Sequence, residues 1–377
     1  MRPAATWARL TEDPIVSVSH PPATLVFPAV NRAAHDYLAA ARQRGERVVA
    51  SASMAPDQAG VDPADYAALP SIYDDDFERR FDALVQERGI ARLFCPVSTV
   101  HQFMRQLIAR RRLPLQLLGE SPIALQVQQH RQLMAQAARL QPFIQTCSGQ
   151  AASPLSLIEI AGVLRQAALI YGESNDDKLA AMMGALATAP AGDVVEIGSL
   201  MGRSAFVLLY MARRFRLGPV LTVDPWAFDE CIQHDSPEGL KEVSGEWDFE
   251  VLGQGLHVHL APFVPDDHAH LRLPSRQGFE QYASAAEIRA QAGHAVAFER
   301  RIGCIHIDGN HDYEAVREDC ELWLPRLKPG AWLILDDYVW DHGDGPRRVG
   351  DDLLRQRTAD IERAFVSGKA LFVKFRN

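Results

Sequence analysis

The stretch that decides the fold is DVVEIGSLMGRS, residues 193–204. Its first half is mostly apolar, which is typical of a buried strand, and Gly198 and Gly202 then lead into a helix-like segment. A glycine turn after a strand lets a ligand approach the backbone at the carboxyl edge of an open α/β sheet. The stretch therefore predicts a parallel α/β domain with a binding site beside Gly198.

Composition restricts the class of protein. The chain has 377 residues, of which 47% are hydrophobic and 23% are charged, as in an ordinary soluble globular protein. This length suggests about two or three domains. No apolar run reaches the roughly 20 residues that cross a bilayer. The first residues, MRPAATWARLTEDP, lack the apolar core of a secretory signal, so we expect a cytoplasmic protein that does not bind membranes.

Cysteine spacing and charge exclude further classes. The five cysteines are scattered without zinc-like spacing, and we expect them to be reduced and mostly buried. The net charge is −9, and the longest basic run is Arg110–Arg112. A nucleic-acid partner is therefore not expected. The sequence favours a small-molecule partner.

The N-terminal part, residues 1–122, alternates strand-like and helix-like segments. Strands are predicted at 24–29, 46–53, 91–96 and 113–119, and helices at 32–45, 77–89 and 100–111. This alternation predicts a small α/β domain with a parallel sheet. The segment resembles the Rossmann-like domain that precedes ATP-grasp domains, although no ATP-grasp module follows. We interpret it as an auxiliary domain, followed by a helical linker at 123–170.

The strand and helix alternation resumes in the C-terminal part, residues 171–377. Strands are predicted at 194–198, 221–224, 303–308 and 332–337, with helices at 155–171 and 175–189 before the first of them. The chain ends in IERAFV-SG-KALFVKF (361–375), two apolar segments joined by a Ser-Gly turn. This pattern predicts a parallel sheet that ends in an antiparallel hairpin.

The glycine turn differs from the common nucleotide-binding loops. It contains neither G-x-G-x-x-G nor a terminal G-K-S/T. Instead Glu196, Gly198 and Gly202 form E-x-G-x-x-x-G, and the next strand ends in LTVDPW with Asp224. This arrangement resembles class I S-adenosylmethionine-dependent methyltransferases, whose first motif has this form and whose second motif binds the ribose hydroxyls through an acid. An acidic residue at this position suits a cationic ligand.

That resemblance implies a Rossmann-like seven-stranded sheet with an antiparallel terminal hairpin. It also implies which residues bind S-adenosylmethionine: Glu196, Gly198, Ser199, Gly202, Asp224 and Asp308.

Acidic residues follow two of the predicted parallel strands. Asp308 comes directly after one strand, and Asp336 and Asp337 follow the next. Neighbouring parallel strands lie about 4.8 Å apart, so these carboxylates are expected to meet at one edge of the sheet. Three carboxylates repel one another unless a cation joins them, and Mg²⁺ prefers oxygen ligands. We expect magnesium here, although Asp337 could instead cap a following turn.

The motifs DGNHDY, LILDDY and GDGP resemble more specifically those of the metal-dependent O-methyltransferases that act on macrolide sugars, the mycinamicin and macrocin type. It implies Mg²⁺ bound by Asp308, Asp336 and Asp337, with His311 as the general base. The expected activity is methyl transfer to a hydroxyl of a specialised metabolite, a sugar or polyhydroxylated scaffold. Removal of the metal by EDTA should then abolish turnover.

Several alternatives remain open. The related cephalosporin-hydroxylase-like group shares the architecture, so a bound metal could serve another reaction, and a non-catalytic module could retain the cofactor site. The polar, histidine-rich stretch 227–295 is interpreted as an insertion that suits a lid or an oligomer contact. Within it, HVHL (257–260) could be an alternating strand. We also expect a homo-oligomer, a dimer or a tetramer.

Overall fold

The computed structural model describes residues 22–237, 244–263, 267–290 and 293–377. The chain forms two compact units that meet in sequence between His130 and Arg131. The N-terminal residues, on which the expectation about a secretory signal rests, lie outside the described residues. Among the described helices, none combines the length and apolar character needed to cross a membrane.

The N-terminal unit contains a four-stranded parallel sheet, which confirms the predicted small parallel domain. Its strands, in the spatial order β2-β1-β3-β4, are β1 (Ala23–Val26), β2 (Val48–Ala50), β3 (Ile90–Phe94) and β4 (Gln116–Leu118). Its helices are α1 (Arg32–Gln43), α2 (Pro56–Ala59), α3 (Phe77–Arg88) and α4 (Ser98–Arg111), and a 3₁₀ turn spans Pro63–Asp65. Leu25, Phe81, Leu93 and Met104 are fully buried in its core.

Helix α5 (Pro122–Ser148) is longer than the sequence suggested. The polar stretch QTCSGQAAS (145–153) is typical of a linker, but the helix continues into it as far as Ser148. Leu140, Ile144 and Cys147 lie on one stripe and pack into the core of the C-terminal unit. Their helical spacing and burial explain why the helix continues. Helices α6 (Leu157–Ala168) and α7 (Asp176–Leu186) follow it.

The C-terminal unit has a seven-stranded sheet, which confirms the fold that the sequence predicted. The strands, in the spatial order β12-β13-β11-β10-β5-β6-β7, are β5 (Asp193–Ile197), β6 (Val220–Val223), β7 (His268–Leu271), β10 (Ile302–Ile307), β11 (Leu327–Leu335), β12 (Ile361–Ser367) and β13 (Ala370–Phe375). The hairpin β12-β13 and its pairing with β11 are antiparallel, and the other pairs are parallel. A separate ribbon pairs β8 (Glu287–Arg289) with β9 (Ala295–Ala297).

Helices cover both faces of this sheet. They include α8 (Arg203–Phe215), α9 (Phe228–Cys231), α10 (Phe249–Leu260), α11 (Ser275–Ser284), α12 (Tyr313–Trp323) and α13 (Gly345–Gln356), with 3₁₀ turns at Leu324–Arg326 and Thr358–Asp360. Successive residues of a strand point to opposite faces, so Val194 and Val195 of β5 enter two different apolar clusters. Strand β5 is therefore buried on both sides, as its near-continuous apolar sequence predicts.

The interpretation of HVHL (257–260) as a strand is wrong, because these residues form the last turn of α10. Leu256 and Leu260 are four residues apart and both are buried, so the helical period decides the structure. The contribution of α10 and β7 to the core also shows that the stretch 227–295 is more than a polar lid.

A buried carboxyl on α12 gives a test of this packing. Asp319 is only 5% exposed, and burial raises its pKa to about 6, although a hydrogen bond to Ser275 opposes the rise. Well below pH 4 the group is protonated in the native and unfolded chains alike, and the penalty grows as the pH rises from about 4 to 6 and is complete above 6. Asp319→Asn should therefore raise the free energy of unfolding by about 2–3 kcal/mol at pH 8 and much less at pH 4.

Urea denaturation at both pH values measures this difference, and the exposed Asp360 supplies the control Asp360→Asn. An equal gain at pH 4 and pH 8 would show that burial of the ionised group is not the cause.

Candidate active site

The glycine turn after β5 has the backbone that the sequence predicted. Gly198 and Gly202 have φ angles of +79° and +93°, in the left-handed region that favours glycine. A Cβ atom on Gly198 would lie 2.0 Å from the carbonyl oxygen of Asp308. The turn therefore lies directly against the chain that leaves β10, and only glycine allows this approach.

Gly198→Ala should weaken binding of S-adenosylhomocysteine at least about tenfold. Alanine is strained at this positive φ, and its Cβ would clash with the carbonyl oxygen of Asp308, so the turn must shift. Isothermal titration calorimetry measures the affinity. Gly293 has a similar φ of +89° with open space around it, so Gly293→Ala controls for backbone strain alone. Equal affinity of Gly198→Ala and the unmodified chain would remove the turn from the binding site.

Asp224 fastens the glycine turn to the end of β6. Its Oδ2 accepts hydrogen bonds from the backbone N–H groups of Ser199 and Leu200 at 2.8 and 2.9 Å, and its Oδ1 accepts one from Trp226 at 2.9 Å. Burial raises the pKa of Asp224, and these three bonds oppose the rise. The carboxylate thus holds the turn in place, and its role toward a ribose stays a prediction.

Glu196 lies inside the sheet. It is fully buried, and its Oε1 lies 2.9 Å from Nδ1 of His306, its register partner on β10. Its Oε2 has no hydrogen-bond partner among the described residues. Contact between Glu196 and a cofactor stays a prediction, whereas the pair with His306 is observed.

The acids after β10 and β11 converge as predicted. Asp308 is the first residue after β10 and Asp336 is the first residue after β11. Both side chains face the Nζ of Lys178. The ammonium lies 3.3 Å from Oδ2 of Asp308 and forms a close ion pair with Oδ2 of Asp336. Nε2 of His306 lies 3.7 and 3.9 Å from the same two oxygens. We call these four residues the Lys178 cluster.

The pKa values of the two carboxyl groups in the Lys178 cluster are shifted in opposite directions. Burial raises the pKa of Asp336, but Lys178 and His306 outweigh burial and hold it well below its usual range. Burial and the charge of Asp336 hold the pKa of Asp308 well above its usual range. Burial and Lys178 oppose protonation of His306, yet hydrogen bonds to Asp336 and Glu196 raise its pKa to about 9. The cluster therefore combines an ionised carboxylate, buried cations and a carboxyl that binds protons readily.

Asp337 faces a second group of side chains. Its Oδ2 lies 3.2 Å from Nε2 of His311, and its Oδ1 lies 3.7 Å from Nζ of Lys369. Nδ1 of His311 lies 3.3 Å from the amide Nε2 of Gln233. The ring of Trp340 packs edge-on against the imidazole with centroids 4.5 Å apart. The structure thus brings His311 and Asp337 together and places Gln233 and Trp340 beside the imidazole.

A family model described as "Methyltransferase domain" matches residues 195–338. This segment is a methyltransferase domain. It includes the glycine turn, Asp224, the acids after β10 and β11, and His311. Comparison with curated proteins gives no match.

Solved structures with similar folds include several methyltransferases. The O-methyltransferase NovP is 13% identical, with a TM-score of 0.38 over 53% of this chain and 80% of its own. An O-methyltransferase from Bacillus cereus in complex with SAH is 14% identical, with a TM-score of 0.37 over 64% of this chain and 100% of its own. MycE, in complex with Mg, SAH and mycinamycin VI, is 13% identical, with a TM-score of 0.28 over 49% of this chain and 45% of its own. Likenesses this distant do not specify a function.

The methyltransferase domain does not offer the expected magnesium ligands in a free state. The oxygens of Asp308 and Asp336 that face each other are both taken by the ammonium of Lys178. Asp337 is directed to His311 and Lys369 instead. Magnesium demands near-octahedral oxygen geometry and retains several waters. With Lys178 in place, the three acids do not fit a shared magnesium ion.

Three residues around the candidate active site could not be picked out as site residues before the structure. Lys178 is followed by LAAMMGAL, and a lysine at the start of so apolar a helix is a signal for a buried ion pair. His306 lies within the apolar strand CIHI, which is a similar signal. Gln233 gives no signal, because a glutamine in a polar loop is ordinary.

Proposed function

We propose that the methyltransferase domain transfers a methyl group from S-adenosylmethionine to a hydroxyl of a specialised metabolite, a sugar or polyhydroxylated scaffold. The observation that supports this most directly is the position of His311 and Asp337 beside the glycine turn. Asp308 touches the turn through its carbonyl oxygen, and its ligand atom lies within 4.8 Å of those of His311 and Asp337. A methyl donor at the turn would thus lie next to an imidazole that can accept a proton.

The proposed donor site consists of the turn and the acids around it. Gly198, Ser199 and Gly202 would allow close approach of the backbone, and Asp224 would hold the ribose. Carboxylates in this region favour a donor whose sulfonium and ammonium groups are positive. Glu196 and Asp308 are proposed to contribute to this preference for a positively charged donor.

The proposed reaction needs alignment and loss of one proton. The acceptor oxygen forms a bond to the methyl carbon as the carbon–sulfur bond breaks in line, and sulfur keeps the electron pair. The hydroxyl proton passes to His311, which burial keeps neutral by lowering its pKa, although Asp337 partly offsets this effect. When Asp337 accepts a hydrogen bond from Nε2–H, Nδ1 of His311 is the basic nitrogen. The acceptor hydroxyl would reach Nδ1 by replacing the amide of Gln233.

The side chains around His311 suit a flat or polyhydroxylated acceptor. The ring of Trp340 packs against both His311 and His342, with centroids 4.5 and 5.3 Å apart. Ser236 donates a hydrogen bond to Oε1 of Gln233 at 2.9 Å. Aromatic faces beside polar groups are a common way to bind sugar rings.

The remaining expectations belong to this proposal as predictions. We propose the methyltransferase domain at 171–377, with an insertion at 227–295, a helical linker at 123–170 and an auxiliary domain at 1–122. A cytoplasmic location and a homo-oligomer stay predictions from the sequence. Magnesium dependence, with Asp308, Asp336 and Asp337 as ligands, is left out of this proposal, because Lys178 and Lys369 already contact these acids.

The test uses S-adenosylmethionine labelled in its methyl group and a panel of nucleotide sugars, glycosides and polyphenols. Transfer of the label to a hydroxyl of at least one acceptor is expected. Calorimetry with S-adenosylhomocysteine tests donor binding separately. Tight donor binding without transfer to any acceptor would favour a non-catalytic module, and an oxidised or hydrolysed product would favour the hydroxylase-like alternative.

A further inference from the structure

We propose that the ammonium of Lys178 takes the place of a divalent cation at the ends of β10 and β11, so that the methyltransferase domain works without bound metal. The inference rests on the proposed function only for its activity measurement. Its metal-binding measurement is independent of any reaction.

The ammonium of Lys178 lies against both carboxylates. Nζ of Lys178 is in contact with one oxygen each of Asp308 and Asp336, and these oxygens also face Nε2 of His306. A metal ion bound by these two facing oxygens would have to occupy the position of the ammonium. A second cation at this place would be repelled by the first.

The surrounding residues confine the Lys178 side chain to this position. The Lys178 side chain is only 1% exposed, and the following residues of α7 are buried. Its backbone N–H donates to Oδ1 of the cap Asn175 at 2.9 Å. The hairpin turn at Gly368 also approaches it, since a Cβ there would lie 2.7 Å from the N and Cβ atoms of Lys178. Displacing the ammonium would leave a buried charge without a partner, which is strongly unfavourable.

Asp337, the remaining expected ligand, has partners of its own. It faces His311 at 3.2 Å and Lys369 at 3.7 Å. Each of the three acids therefore already has a lysine ammonium within 4.0 Å. The repulsion between carboxylates, which led us to expect a divalent ion, is offset by the protein's own side chains.

Lys178 is then a positioning residue. It holds Asp308 and Asp336 against each other at the strand ends, and it keeps Asp308, which is 24% exposed, at the edge of the site. An ammonium supplies one charge and no open coordination position. The acceptor hydroxyl would therefore lose its proton to a side chain without help from a metal.

The first measurement uses the unmodified chain. Electron paramagnetic resonance of added Mn²⁺ should show no site tighter than about 1 mM. Methyl transfer should be unchanged after dialysis against EDTA. One tightly bound Mn²⁺ per chain that Asp336→Asn abolishes, or loss of activity in EDTA that Mg²⁺ restores, would overturn the proposal.

The second measurement uses a variant in which the ammonium is removed from the cation position. Lys178→Ala leaves Asp308 and Asp336 without their ammonium, so Mn²⁺ should bind at least about tenfold more tightly than to the unmodified chain. Lys178→Arg keeps a cation and should not gain this affinity. Lys328→Ala is the matched control, because Lys328 forms its ion pair with Glu299 instead. Gained affinity in Lys328→Ala, or none in a folded Lys178→Ala, would count against the proposal.

These measurements separate two kinds of failure. If no acceptor is methylated, the proposed function fails, but the Mn²⁺ titrations still decide whether Lys178 occupies the cation position. If Lys178→Ala does not fold, the titration of the unmodified chain decides alone. If methylation occurs only with Mg²⁺, the function stands and the role of Lys178 is refuted.

Discussion

Asp336→Ala is expected to lower the free energy of unfolding by about 3–5 kcal/mol and to abolish methyl transfer. The substitution removes the close partner of Lys178 and a nearby carboxylate of His306, and both side chains are buried. Two buried cations would then share Asp308 and Glu196. Urea denaturation followed by circular dichroism measures the loss of stability, and label transfer measures activity.

A double-mutant cycle separates the ion pair from packing. In Lys178→Met combined with Asp336→Leu, neither charge remains, so the pair should lose much less stability than the two single changes added together. Asp360→Ala removes an exposed acid whose ion pair with Arg357 lies at the surface, and should change stability by less than about 0.5 kcal/mol. A loss below about 1 kcal/mol for Asp336→Ala would show that Lys178 does not depend on this carboxylate.

The sheet and the convergence of the acids could be predicted from local sequence. Strands β5, β10 and β11 are mostly apolar segments that end in acids or a glycine turn, and these strands are neighbours in the sheet. Parallel neighbours bring their carboxyl ends to one edge, so the distance between Asp308 and Asp336 follows from strand order. The terminal hairpin could also be predicted from the sequence, because the Ser-Gly turn separates two apolar segments.

The cation that joins the acids could not be predicted in the same way. Lys178 is 130 residues from Asp308 and 158 residues from Asp336 in sequence, and it reaches them from a helix before the first strand of the sheet. No local spacing encodes that contact. Because the sequence shows three acids and no cation beside them, it suggests a metal, whereas the fold supplies a lysine.

The alternating pattern of HVHL shows a different limit. Two histidines alternate with apolar residues at 257–260, as they would in a strand, yet the segment ends helix α10. Four residues contain too little of either period to decide, and Leu256 adds the helical spacing that does. The secondary structure of such a short segment therefore depends on which of its residues the tertiary structure buries.

His311→Ala is expected to lower kcat about 10²–10⁴-fold while leaving the affinity for S-adenosylhomocysteine unchanged, because the imidazole accepts the acceptor's proton and does not hold the donor. Burial lowers the pKa of His311, so kcat of the unmodified chain should fall only when the pH drops below the ordinary histidine range, and the variant should lack that dependence. Rapid-quench turnover from pH 5 to 9 and calorimetry give both quantities. The exposed His130 supplies the control His130→Ala. An unchanged pH dependence in His311→Ala would assign the proton to another group, and Asp308, with its raised pKa, would be the next residue to replace.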